Sequence, residues 1–196
     1  MLQLLIGLAL FLGIHSAQSL APQARQRAQQ RWGALGYKAV YSAVSLLGLY
    51  LIVHGYAQAR LTPVVLWTPP RGLQHASIAL MWLAMVLLVS AYVPSNQIRA
   101  KLRHPMTLSV KVWAFAHLLA NGHLADAVLF GGFLLWSVLV FRAARQRDRL
   151  ALHTPAPGTL PGTLLAVALG TGVWAAFVMG GLHLWLIGVM PLTPAV

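Results

Sequence analysis

The sequence contains no cysteine, so disulfides, thiolate metal sites, iron–sulfur clusters and cysteine nucleophiles are excluded by composition. Acidic residues are nearly as scarce. Asp126 and Asp148 stand against 14 Lys and Arg, for a formal charge of +12. Paired-carboxylate catalysis is not encoded, and closed zinc or di-iron sites lack their usual Cys or carboxylate ligands. Neither a phosphate-binding glycine loop nor a serine nucleophile elbow is present.

Charged residues of both signs make up only 8% of the chain, where soluble domains carry about 25%. Hydrophobic residues supply 59% and the mean hydropathy is +0.72. These values describe an integral membrane protein: an all-α, polytopic bundle of about six transmembrane helices forming a single domain over residues 1–196, with no soluble domain and no internal repeat. The basic residues fall in short runs between apolar segments, which points to membrane lipid as partner and away from nucleic acid.

Apolar stretches run over Leu2–Leu20, Lys38–Ala57, Leu73–Val93, Lys111–Ala120, Leu124–Phe141 and Leu160–Met190. The fourth is short of the roughly 20 residues that cross a bilayer, and Asn121-Gly122-His123 reads as a turn joining it to the fifth, since Asn and Gly tolerate positive φ. The segment His153–Gly162 reads as a linker. Arg25, Arg27, Arg31 and Lys38 follow the first segment instead of preceding it, so it reads as a retained helix and not as a signal peptide.

Lys and Arg number four, two, four, none and four in successive connections. This alternation places the three basic loops in the cytoplasm and both termini on the non-cytoplasmic side.

Eight histidines in so apolar a chain need partners, because a polar group at hydrocarbon depth is costly unless it faces the bundle interior. On this topology His15 lies five residues before the end of the first helix, and His117 six residues after the start of the fourth at Lys111. Each is then roughly 7 to 9 Å inside the cytoplasmic boundary. Two histidines at one depth on different helices suit a haem iron held from both faces, or a metal shared with His104; a hydrogen-bonded packing role is the commoner fate of a single intramembrane histidine. His54, His75, His123 and His183 fall near the opposite face, where interfacial hydrogen bonding satisfies them, with His75 and His183 the pair to test for a second site.

Arg103-His104-Pro105 leads into the fourth helix, where Pro suits a first turn and Arg and His can reach an anionic group at the cytoplasmic edge, a haem propionate or a lipid phosphate. Tyr37, Tyr41, Ser42 and Ser45 form a polar stripe on the second helix. Asp126 reads as a helix N-terminal charge, and the dispersed tryptophans as belt or packing residues.

The segments Phe11-Leu12-Gly13-Ile14-His15-Ser16, Tyr41–Leu46, Leu66–Pro70, Leu102-Arg103-His104-Pro105-Met106, Ala116–Gly122 and Leu129-Phe130-Gly131 resemble the NnrU family, in order along nearly the whole chain. The resemblance implies a multi-pass protein of the bacterial inner (cytoplasmic) membrane linked to nitrogen-oxide metabolism and denitrification, with a respiratory or denitrification partner in the membrane. That family is similar in turn to the plastid 15-cis-zeta-carotene isomerase, which binds haem b. The isomerase's ligand positions correspond to His15 and His117, so the resemblance implies haem b with these two as iron ligands and Arg103 and His104 near the propionates. A haem-dependent isomerase acting on a small apolar substrate, and a cofactor-free assembly factor, are the alternatives. Ala114 stands where the isomerase has a cysteine proposed for ligand exchange, which excludes isomerase chemistry by that switch. Arg-His-Pro also occurs in isoprenylcysteine methyltransferase-like proteins, where Tyr and Gly usually follow; Thr107 and Ser109 stand here instead.

Overall fold

The computed structural model describes residues 1–151 and 156–191. Its elements are α1 (Leu2–Leu20), α2 (Pro22–Ala59), α3 (Arg71–Ser90), α4 (Gln97–Leu102), α5 (Pro105–Ala120), α6 (Leu124–Leu150), α7 (Leu160–Val178) and α8 (Leu182–Ile187). Among the described residues there is no named strand, only isolated bridges. Helices α1, α2, α3, α6 and α7 are long and apolar enough to cross a membrane. At 16 residues, α5 rises about 24 Å, short of the roughly 30 Å of hydrocarbon; this is the segment that is also short in the sequence.

Several boundaries differ from the hydropathy pattern because polar helix is invisible to it. The basic stretch before Lys38 is helical from Pro22 onward, with a break at Gly33, whose φ of +72° leaves helical geometry. α5 starts at Pro105 instead of Lys111, since Pro at the first helical position forfeits no hydrogen bond. α6 continues through the basic tail to Leu150. The last apolar stretch divides into α7 and α8 at Gly181, in the left-handed region. Residues 152–155 of the linker lie outside the described residues.

The chain groups into two compact units, Met1–Thr68 with Gly122–Arg147, and Pro69–Asn121 with Asp148–Val196. In the first, α1 and α2 meet backbone to backbone. A Cβ at Gly7 would stand 2.6 Å from the Ile52 nitrogen, one at Gly48 would stand 2.8 Å from the Phe11 nitrogen, and one at Gly55 would collide with the Leu4 backbone. Small residues at the contact allow the dispersion packing that drives helix association where water supplies no hydrophobic force. α6 is tied to α1 by the Trp136 indole N–H, which donates to Ser16 Oγ at 3.0 Å. Arg147 donates to the Gln18 and Ser19 carbonyls at 3.3 and 3.0 Å, a cation on the negative end of a helix.

A loop clamps the start of α6. The Leu66 and Trp67 amides donate to the Gly122 carbonyl, and the Leu124 amide to the Val64 carbonyl. Gly122 has no positive φ; glycine is required because a Cβ would collide with the Trp67 carbonyl.

In the second unit α3 packs on α5 and α7. Ser109 Oγ donates to the Ala84 carbonyl at 2.7 Å, Trp82 Nε1 to Thr171 Oγ1 at 2.9 Å and Trp174 Nε1 to the Ile78 carbonyl at 3.1 Å. A Cβ at Gly170 would stand 2.6 Å from Val86 Cα. Short α4 is pinned by buried Asn96, whose side chain accepts from the Arg99 amide and donates to the Ser90 and Val93 carbonyls.

Candidate functional site: two helical histidines and two carboxylate clusters

His15 is half-buried in the first unit. Its Nδ1–H donates to the Phe11 carbonyl one turn back, at 2.7 Å. Its ring stacks on Phe11 with centroids 4.2 Å apart and lies 5.3 Å from the Tyr41 ring. One turn further along α2 stands Ser45, whose Oγ is buried. Of the polar stripe expected on α2, Tyr37, Tyr41 and Ser45 are half-buried and Ser42 is exposed.

His117 is half-buried in the second unit, with Nδ1–H donating to the Trp113 carbonyl at 2.8 Å and the Trp113 ring 5.1 Å away. In both residues a carbonyl acceptor fixes the proton on Nδ1, which puts the lone pair of the neutral ring on Nε2. His75 makes the same bond to the Arg71 carbonyl at 2.9 Å but is exposed. The bond therefore selects the nitrogen; partial burial separates His15 and His117 from His75, while half-buried His183 bonds a carbonyl six residues ahead instead of one turn back in its own helix. His54 is exposed beside Tyr50, and His183 donates to the Val189 carbonyl.

The equal-depth reading of His15 and His117 rested on a helix beginning at Lys111. With α5 beginning at Pro105, His117 is twelve residues, about 18 Å, along that helix. What the two histidines share is side-chain geometry and partial burial.

Arg103 and His104 converge on one carboxylate. Asp148 Oδ2 accepts from His104 Nε2 at 3.0 Å and lies 3.5 Å from Arg103 Nη1. Thirteen residues, about 20 Å of helix, separate His104 from His117, so these sites occupy opposite ends of α5. Asp148 sits on the polar tail of α6, beyond the apolar run that ends at Phe141. Desolvation pushes its carboxyl upward, and the hydrogen bond and charge of His104 with the charge of Arg103 outweigh that push, so it titrates below the usual carboxylate range.

Asp126, read in the sequence as a helix-terminal charge, is in the first turn of α6 and buried, 3% exposed. It accepts from the Tyr56 hydroxyl and from both the backbone N–H and Nδ1–H of His123, each at 3.1 Å. Sequence reasoning paired neither acidic residue with a partner. The available signal was scarcity: with two carboxylates among 14 cations, each has many candidate partners and few rivals. Among the described residues no three metal-ligating side chains come together.

The family model described as NnrU protein matches residues 3–191 of the chain. No curated protein and no solved structure matches it.

Proposed function

The chain belongs to the NnrU family, and on that premise we propose that it is a haem b-binding protein of the bacterial cytoplasmic membrane, with His15 and His117 as iron ligands, serving nitrogen-oxide metabolism. The observation that carries the reading is the shared Nδ1–H bond of these two half-buried histidines to their own helix carbonyls. Such a bond is the usual outer-sphere partner of a metal-bound imidazole: it fixes the tautomer, orients the ring and raises the basicity of Nε2. Haem brings four nitrogens of its own and asks the protein for one or two axial ligands, which suits a chain with histidines to spare and no cysteine.

Bound haem would supply one-electron exchange. The chain's own contribution is to offer imidazole nitrogens of fixed tautomer in apolar surroundings. Both termini are placed on the non-cytoplasmic side in this reading, with α5 completing a sixth, short crossing.

The test is haem content. Protein expressed with haem supply and purified in mild detergent is expected to carry stoichiometric b-type haem, reduced at least severalfold in His15→Ala and His117→Ala and unchanged in His75→Ala. Colourless, folded wild-type protein would overturn the reading and favour a cofactor-free assembly factor.

A further inference from the structure

The geometry points to a binding site for the phosphate of an anionic phospholipid in the second unit, in a cavity of about 440 Å³ lined by Arg99, Arg103, His104, Asp148 and Ser95 among others. This volume falls within the roughly 300–1,000 Å³ of small-molecule sites. Arg99 on α4 and Arg103 just past its end both line the cavity. With His104 they set two guanidinium groups and an imidazole N–H against one carboxylate, and Arg103 and His104 already meet around an acidic oxygen of Asp148. A phosphate oxygen offers the same acceptor chemistry, and arginine's forked donors match it well.

The walls are built to hold that arrangement. Ser95 and Arg103, at the two ends of α4, both have positive φ (52° and 64°), a conformation that is strained for a non-glycine residue and persists only where surroundings impose it. Buried Asn96 fixes the first turn of α4. The Thr159 amide and hydroxyl donate to the Ser95 carbonyl at 2.6 and 3.0 Å. The Gln97 amide donates to Thr163 Oγ1 at 2.9 Å. A Cβ at Gly158 would collide with the Asn96–Gln97 backbone.

A lipid is favoured over free phosphate by position. The cavity lies where the apolar span α3 ends, in one of the basic connections expected at the cytoplasmic face, and exposed Tyr92, Leu102 and Met106 flank it, offering apolar surface to acyl chains beside the cationic site. Basic pockets at this level are typical headgroup sites. A haem carboxylate is the less suitable occupant if His117 ligates the iron, because α5 sets the two ends about 20 Å apart. The site is thus independent of the haem reading.

Asp148 engages Arg103 and His104, the same donors that the phosphate would take, so the two acceptors compete. Native mass spectrometry of the full chain, titrated with phosphatidylglycerol, phosphatidylcholine and inorganic phosphate, tests this directly. Retention of phosphatidylglycerol over phosphatidylcholine is expected, roughly fivefold weaker in Arg99→Gln, which leaves the contacts of Asp148 with Arg103 and His104 in place, and stronger in Asp148→Asn, which frees Arg103 and His104. A merely structural role for Asp148 would not tighten lipid binding. Equal retention of the two lipids, unchanged selectivity in Arg99→Gln, weaker binding in Asp148→Asn, or binding of inorganic phosphate that lipid does not displace would each overturn the proposal.

Discussion

The Tyr56 hydroxyl donates a hydrogen bond to Asp126 across 70 positions of sequence, binding the C-terminal half of α2 to the first turn of α6 around a carboxylate that is otherwise sealed from solvent. Asp126 takes two more hydrogen bonds from His123, so its charge is distributed over three donors. Hydrogen bonds to a charged group contribute about 1.5–3 kcal/mol each, more when removing one leaves a buried partner unsatisfied. Tyr56→Phe is therefore expected to destabilise the protein by about that amount in reversible unfolding in mixed micelles. A change below about 0.5 kcal/mol would show that the bond is not formed.

The glycine contacts of α1 with α2 make a steric prediction. Gly55→Val places two extra methyl groups, beyond its Cβ, against the Leu4 backbone, and overpacking of this kind costs about 1–3 kcal/mol or more. Gly13→Ala, on the same pair of helices, meets nothing within 4 Å and is expected to be neutral or slightly stabilising through helix propensity. Thermal unfolding of the two variants should separate them clearly; similar midpoints would contradict the close approach.

Asp148 carries an acid-sensitive contact. Its folded carboxyl titrates below the ordinary value, near 3.9 in unstructured peptides. The stabilisation is thus fully present above that value and lost as pH falls through the lower folded one. The pair with Arg103 and His104 is partly exposed, 29% and 27% against 22% for Asp148, which limits its worth to about 1 kcal/mol or less. Wild type is expected to exceed Asp148→Asn in stability at pH 6 and to converge on it only as pH falls below the ordinary carboxylate range. A difference independent of pH would mean that the carboxylate's charge is not what matters.

The apolar spans were legible in the sequence because hydrocarbon demands long runs of one kind of side chain: α1 coincides with the stretch Leu2–Leu20, and α6 begins at the expected Leu124. Polar helix was not legible. The stretches Pro22–Arg31 and Arg142–Leu150 carry the same residues that a loop would, and only backbone geometry shows that they continue helices. Among candidate site residues, the proximity of Arg103 to His104 follows from adjacency, but Asp148 as their shared acceptor depends on the return of the chain 44 residues later. His15 and His117 stood out as intramembrane histidines; which nitrogen each presents is a rotamer and tautomer property that sequence does not carry. The left-handed backbone at Ser95 and Arg103 had no glycine to announce it.

The most direct test of the haem assignment is the low-temperature electron paramagnetic resonance and reduced-minus-oxidised optical spectrum of the purified protein beside His15→Ala and His117→Ala. The expected result is a low-spin, bis-imidazole ferric signal with a b-type reduced spectrum in wild type, converted to high spin or lost in each variant while His75→Ala leaves it intact. A low-spin signal that survives in both His15→Ala and His117→Ala would contradict the assignment of these residues as the iron ligands.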